Sequence, residues 1–263
     1  MNFLATDLDG TFIPNSSKTE LIEALEYFHK IKKDSDDFKL IFVTGRNFKQ
    51  VEDGIKEYNL PEPDFIISDV GTTIYNRSLN GWVLNDEYYK NLSRILNNIN
   101  RENLINWLIQ KAGVSLQEDY RQGDFKISFY LEPKNSITII DDLNIKIKKE
   151  NLPYDVIFSQ DPITKKGLLD ILPKGVSKVY ALKWVLKNYS ASGDSVAFAG
   201  DSGNDLDLFI SGINSIIVKN TPENIKVKAN SWALENGKTK TLFFATKEST
   251  AGVLQGCRHF NII

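Results

Sequence analysis

Cysteine occurs once in this chain, at Cys257, so neither an intrachain disulfide framework nor a cysteine-rich zinc site can form. Histidine is nearly as scarce. His29 and His259 are the only two, each reads as structural, and no His-based triad or His-rich metal site is supported. Charge of one sign is not massed anywhere: the formal net charge is −2 over 263 residues. The local run Lys146-Ile147-Lys148-Lys149 fits a solvated helix face, so neither nucleic acid nor an anionic membrane is expected as a partner. No apolar run approaches the roughly 20 residues of a membrane helix. The first residues lead straight into a strand pattern without a basic segment, an apolar signal core or a cleavage site, and a cytoplasmic, reducing location is the expectation.

What is present is the material of a globular α/β protein. The apolar fraction of 41% and charged fraction of 25% are ordinary, and the length allows one large domain or two of moderate size. Residues 2–7, the run Phe38-Lys39-Leu40-Ile41-Phe42-Val43 and the run Ser195-Val196-Ala197-Phe198-Ala199 suit parallel strands buried on both faces. Leu21, Ile22, Leu25 and Phe28 recur at helical spacing between the first two, and Phe65-Ile66-Ile67 supplies a further strand. The alternation predicts a doubly wound, mostly parallel α/β sheet core. From residue 74 the pattern changes. A hairpin over 74–84 turns at Asn80-Gly81, a polar helical stretch runs from about 90 to 112, and strands at 125–131, 155–159 and 168–172 accompany a helix over 144–151. Residues 1–86 and 173–263 therefore read as a core, split by an inserted α/β domain over 87–172.

Three core strands end in polar clusters: Asp7 and Asp9, Thr44-Gly45-Arg46, and Gly200-Asp201-Ser202-Gly203-Asn204-Asp205. Ligands of open α/β sheets bind at the carboxyl ends of the strands, so these clusters are expected to converge. Asp7 and Asp9 leave their strand on the same side, with Gly10 letting the backbone curl beneath them. Crowded carboxylates repel unless a cation or proton intervenes, and Asp201 adds a third, which suits oxygen-coordinated Mg2+. Taken alone, the pair accounts equally well for a turn at Asp9-Gly10 with Asp7 as its cap. Lys178 falls in the first turn of a helix, where the dipole disfavours a cation. It either reaches a phosphate or is a solvated surface lysine. Thr44 either binds phosphate or caps the following helix, while Asn204 and Asp205 are placed to orient metal waters or neighbouring loops. Gly175-Val176-Ser177-Lys178 lacks the two-glycine spacing of a nucleotide-binding loop.

Asp7-Leu8-Asp9-Gly10-Thr11, Val43-Thr44-Gly45-Arg46, Gly175-Val176-Ser177-Lys178 and Gly200-Asp201-Ser202-Gly203-Asn204-Asp205, in that order, resemble the four motifs of the haloacid dehalogenase superfamily of phosphatases. The insert resembles the α/β cap of its type-II members. Leu169-Asp170-Ile171-Leu172-Pro173 and the ending Ala251-Gly252-Val253-Leu254-Gln255-Gly256-Cys257-Arg258-His259-Phe260 look most like the sucrose-phosphate phosphatases and their bacterial relatives. Val179 and Gln255 depart from that pattern, where relatives often have glycine and glutamate.

The resemblance implies that Asp7 is a nucleophile forming an aspartyl-phosphate, and that Asp9 is the acid and base serving the leaving sugar oxygen and the water. It implies Mg2+ held by Asp7, the backbone carbonyl of Asp9, and Asp201. Phosphate would be held by Thr44, Gly45 and Lys178, with Ser202, Asn204, Asp205 and Arg46 in support. Glu118, Lys126, Ser128, Gln160 and Asp170 are candidates for reading the hydroxyls of a small-molecule sugar phosphate from the cap. A glycosyl-glycerate phosphate, trehalose phosphate or hexose phosphate is an alternative substrate. A phosphohexomutase, or a non-catalytic sugar-phosphate binding protein, is an alternative activity.

Overall fold

Leu4, Leu40, Phe42, Ile66, Ala197, Ala199 and Ile216 are all fully buried, the signature of strands covered on both faces. In the computed structural model, which describes residues 1–263 except 15, 98, 161–163, 190 and 192, they belong to one sheet. The chain divides into two compact units, one of Met1–Asn85 with Lys178–Ile263, the other of Asp86–Ser177.

The first unit opens with β1 (Asn2–Thr6), α1 (Thr19–Asp34), β2 (Phe38–Val43), α2 (Phe48–Glu57), β3 (Phe65–Ser68), β4 (Thr73–Ser78) and β5 (Gly81–Leu84). The second unit holds α3 (Asp86–Ile95), α4 (Arg101–Ile109), β6 (Val114–Leu116), β7 (Ile127–Leu131), α5 (Ser136–Lys149), β8 (Tyr154–Gln160) and β9 (Gly167–Pro173). The first unit then resumes with α6 (Lys178–Lys187), β10 (Val196–Gly200), α7 (Leu206–Phe209), β11 (Asn214–Ile217), α8 (Glu223–Glu235), β12 (Leu242–Phe244) and α9 (Ser249–His259).

Strand order in the large sheet is β12-β11-β10-β1-β2-β3-β4-β5, parallel from β12 to β3 and antiparallel through the β4–β5 hairpin. This is the doubly wound, mostly parallel sheet that the alternating pattern predicts. β1 lies between β2 and β10, so the chain winds outward in both directions from it, and the carboxyl end of β1 is the topological switch point.

Helices cover the sheet by apolar faces that the sequence spells out. In α1, Leu21, Ala24, Leu25 and Phe28 are buried at helical spacing. In α9, Gly256 permits close approach to the sheet: a Cβ there would lie 2.4 Å from Ile216. β12 and α7 to α9 have little apolar periodicity of their own, and the sequence reading did not place them.

The second unit has a four-stranded antiparallel sheet, β6-β7-β9-β8. Ile127, Phe129, Leu131, Leu169, Ile171 and Tyr154 bury one face against Leu104, Leu108, Ile139 and Leu143. Alternation turns Ser128 and Asp170, which are paired in register, to the opposite face. Two expectations needed correction here. The helical stretch from 90 to 112 is two helices, because Asn100 caps α4 by accepting from Glu102 N at 3.0 Å. The helix expected over 144–151 begins already at Ser136.

Candidate active site

β10, β1 and β2 are adjacent and parallel, so the residues that follow them are neighbours despite their distance in sequence. After β1 the chain closes an unusually wide turn, with Phe12 N donating to Asp7 O at 3.2 Å and Ile13 N to Leu8 O at 2.8 Å. Gly10 takes φ +77° within it. A Cβ on Gly10 would meet Asp201 Oδ2 at 2.3 Å, so the glycine both makes the turn and admits the third carboxylate.

Lys178 is almost wholly buried. Its ammonium has three donors and three acceptors around it: Asp205 Oδ1 at 2.7 Å, Asp7 Oδ1 at 2.9 Å and Asn204 Oδ1 at 3.1 Å. It is therefore not a solvated surface lysine. Asp205 is also fully buried, and its Oδ2 accepts from Asp201 N, Ser202 N and Ser202 Oγ, each at 3.1 Å. Ser202 Oγ also lies 2.8 Å from Asn204 Oδ1. The loop after β10 is thus folded around one carboxylate.

Asp7, Asp201 and Asp205 each offer a carboxylate oxygen within 4.8 Å of the others. Burial raises the proton affinity of Asp7 well above the usual carboxylate range; Lys178 opposes this, while Asp205 and Asp201 add to it. Burial and then the charge of Asp205 push Asp201 up to about 7. Burial works against the charge of Lys178, but Asp205 and Asp7 together outweigh it and hold the amine above its ordinary range. Once all three have lost their protons, three carboxylates against one ammonium leave a deficit of two positive charges, which one divalent cation would fill. This donor set fits a hard ion such as Mg2+. Asp205 already takes three donors on Oδ2 and the Lys178 ammonium on Oδ1, whereas each oxygen of Asp201 takes one and Asp7 Oδ1 takes Lys178, so Asp7 and Asp201 keep the lone pairs to hold the ion.

Asp9 has a different environment. Its side chain is 60% exposed, and Arg46 grips it with Nε to Oδ2 at 2.8 Å and Nη2 to Oδ1 at 2.5 Å. Arg46 also donates to Gln50 O at 3.3 Å. Thr44 is buried at the end of β2, where its Oγ1 accepts from Arg46 N at 3.2 Å, and Gly45 follows it beside Val70. The cap of α2 is Asn47, in a reciprocal capping box with Gln50, so Thr44 is not needed for that purpose.

Of the candidates in the second unit, the structure joins Ser128 and Asp170, Oγ to Oδ1 at 2.5 Å. Glu118 instead accepts from Tyr130 Oη at 3.0 Å, Gln160 donates to Lys165 O at 2.9 Å, and Lys126 is buried. Three further residues at the first site were missed by the sequence reading. Thr11 Oγ1 donates to Asp201 Oδ1 at 2.9 Å, Asn220 Nδ2 lies 3.2 Å from Asp201 Oδ2, and Ser249 Oγ lies 3.2 Å from Gly10 O. Asn220 follows β11, and its place at the carboxyl end of a parallel strand was the available signal.

The sequence profile of the sucrose-6F-phosphate phosphohydrolase family matches residues 1–261. Sucrose-phosphatase 1 of Nicotiana tabacum is 28% identical over 98% of this chain, which spans only 59% of the tobacco protein. A mannosylfructose-phosphate phosphatase of Agrobacterium fabrum is 27% identical, covering 100% of this chain and 98% of its own. The structure of the sucrose-phosphatase of Synechocystis sp. PCC6803 with sucrose and phosphate superposes with a TM-score of 0.81 at 26% identity, over 99% of this chain and 98% of that one.

Proposed function

The chain belongs to the sucrose-6F-phosphate phosphohydrolase family, and from that membership we propose that it is a Mg2+-dependent phosphatase cleaving a disaccharide phosphate of the sucrose-phosphate kind. The observation that carries the reading is the buried chain of contacts from Asp7 through Lys178 to Asp205 at the end of β1, with Asp201 beside it.

Lys178 holds Asp7 Oδ1, which leaves Oδ2 to attack phosphorus. The bond from phosphorus to the sugar oxygen breaks as the bond to Asp7 forms, and Asp9 in its acid form gives the departing oxygen a proton. Arg46 holds the Asp9 carboxylate by both oxygens in this structure; one of these contacts gives way when Asp9 takes up its proton, and the other positions the group. A water then attacks the phosphoryl group, Asp9 accepts its proton, and Asp7 is released. Thr44 and Gly45 bind the phosphoryl oxygens as charge redistributes, and Lys178 joins them by exchanging its longest contact, Asn204 Oδ1, for a phosphoryl oxygen. Held by Asp7 and Asp201 with the Asp9 carbonyl, Mg2+ would supply the positive charge that the phosphate and these carboxylates need together. The second unit would serve as a cap that reads the sugar, with Ser128 and Asp170 its foremost candidates.

A second reading, another disaccharide phosphate, is favoured by the full-length similarity to the Agrobacterium enzyme. Mg2+-dependent phosphate release across disaccharide, glycosyl-glycerate, trehalose and hexose phosphates, with an Asp7→Asn control, tests both readings. Free phosphate and unphosphorylated sugar are expected; an isomerised sugar phosphate would identify a mutase instead, and saturable binding without turnover a binding protein.

A further inference from the structure

Asp201 is held from both sides, and one of its partners comes from a part of the chain that no motif marks. Asn220 Nδ2 is 3.2 Å from Asp201 Oδ2 and donates to Gly10 O at 2.8 Å, while its Oδ1 accepts from Ser249 N at 3.0 Å. An amide NH2 carries two protons, so it can serve both acceptors, and the reversed amide would set oxygen against two oxygens. Ser249 holds its end at a conformational cost. It is fully buried and left-handed at φ +43°, a conformation unfavourable for a residue with a Cβ. In return its N–H reaches Asn220 and its Oγ lies 3.2 Å from Gly10 O; next to it, Thr250 Oγ1 donates to Phe12 O at 3.0 Å. The start of α9 is thereby tied to the turn that carries Asp7 and Asp9, and Asn220 is the member of this strap that also touches a carboxylate of the cluster.

We propose that Asn220 is a positioning residue for divalent-cation binding, fixing the Asp201 carboxylate against the Gly10 turn so that its remaining lone pairs stay available to the ion. The inference rests on the Mg2+ role proposed above for Asp7 and Asp201. Thr11 restrains one oxygen of Asp201 and Asn220 the other; with either lost, the carboxylate can rotate out of register with Asp7. Asn220 itself contacts neither the attacking oxygen nor the leaving group in this scheme, so its effect is on ion affinity first and on turnover only through it.

Calorimetric titration of Mg2+ into EDTA-treated, dialysed full-length protein tests this without reference to activity. Asn220→Ala is expected to weaken Mg2+ binding by about tenfold or more, the scale of one hydrogen bond to a charged group. Asn220→Ser, too short to reach both Gly10 and Asp201, is expected to do the same and serves if the alanine variant does not fold. Ser249→Ala removes a bond to the same turn but none to Asp201, and is expected to keep its Mg2+ affinity within about twofold while losing thermal stability. Asn220 variants that bind Mg2+ as the wild type does overturn this inference alone. A parallel loss in Ser249→Ala overturns it too, by making the strap merely structural. A wild-type protein that binds no Mg2+ removes the proposed function along with it.

Discussion

Lys178 Nζ donates to Asp7 Oδ1 at 2.9 Å across 171 residues of chain, with both side chains buried. A charge so placed has to be matched by its neighbours, because an unpaired buried ion is costly. Removing it leaves Asp7 and Asp205 facing one another without a cation. Lys178→Met is expected to lose phosphate release by about 100-fold or more, the scale of removing one preorganised charge donor. It should also destabilise the metal-free protein by about 3–5 kcal/mol, as for one partner of a buried pair. Steady-state kinetics and denaturant melts check the two effects separately.

Asp9 and Asp7 are expected to fail differently. Asp9→Asn should slow turnover by about 100-fold or more while still passing a phosphoryl group to Asp7, since a positioned acid and base is worth that much. Arg46→Ala should cost less, because Arg46 acts through Asp9. A larger loss in Arg46→Ala than in Asp9→Asn would mean that the guanidinium contacts the substrate directly.

Metal removal should couple to pH. Asp201 is pushed up to about 7, and Asp7 is raised as well. In the folded, metal-free protein these carboxyls keep protons that the unfolded chain releases above about pH 4, so stability falls as pH rises through that window. EDTA-treated protein is expected to melt at a lower temperature at about pH 8 than at about pH 6, and Mg2+ to raise the melting temperature more at the higher pH, since it replaces those protons. Thermal scans at both pH values, with and without Mg2+, read the difference. A Mg2+ effect that shrinks as pH rises would contradict the account.

In the second unit, Asp170→Asn is expected to raise KM for the preferred disaccharide phosphate by about tenfold, the scale of a hydrogen bond to a charged group. Hydrolysis of a small aryl phosphate should be unchanged. A uniform loss on both substrates would assign Asp170 to folding of the sheet through Ser128.

Much of this was legible from sequence because parallel strands buried on both faces leave continuous apolar runs, and because polar residues at their ends interrupt them abruptly. Asp7, Thr44 and Asp201 stand out for that reason. The environments of Asp7 and Asp9 were not legible: strand alternation sends both to the same side, yet β1 ends at Thr6 and one is buried on Lys178 while the other is exposed on Arg46. That division is set by Arg46, which follows β2, and by Lys178 at the start of α6, both far from the pair in sequence. Ser249 carries no local pattern and Asn220 only its place after β11, since their partners, the Gly10 carbonyl, the Asp201 carboxylate and each other, are brought near by the packing of β1, β10, β11 and α9.

The central claim is that Asp7 carries the phosphoryl group between sugar and water, and rapid acid quench followed by peptide mass spectrometry tests it most directly. During Mg2+-supported turnover of a disaccharide phosphate, the account predicts a transient phosphoryl group on the peptide containing Asp7, enriched in Asp9→Asn and absent from Asp7→Asn. Sustained phosphate release by Asp7→Asn, with no phosphorylated peptide in the wild type, would contradict it.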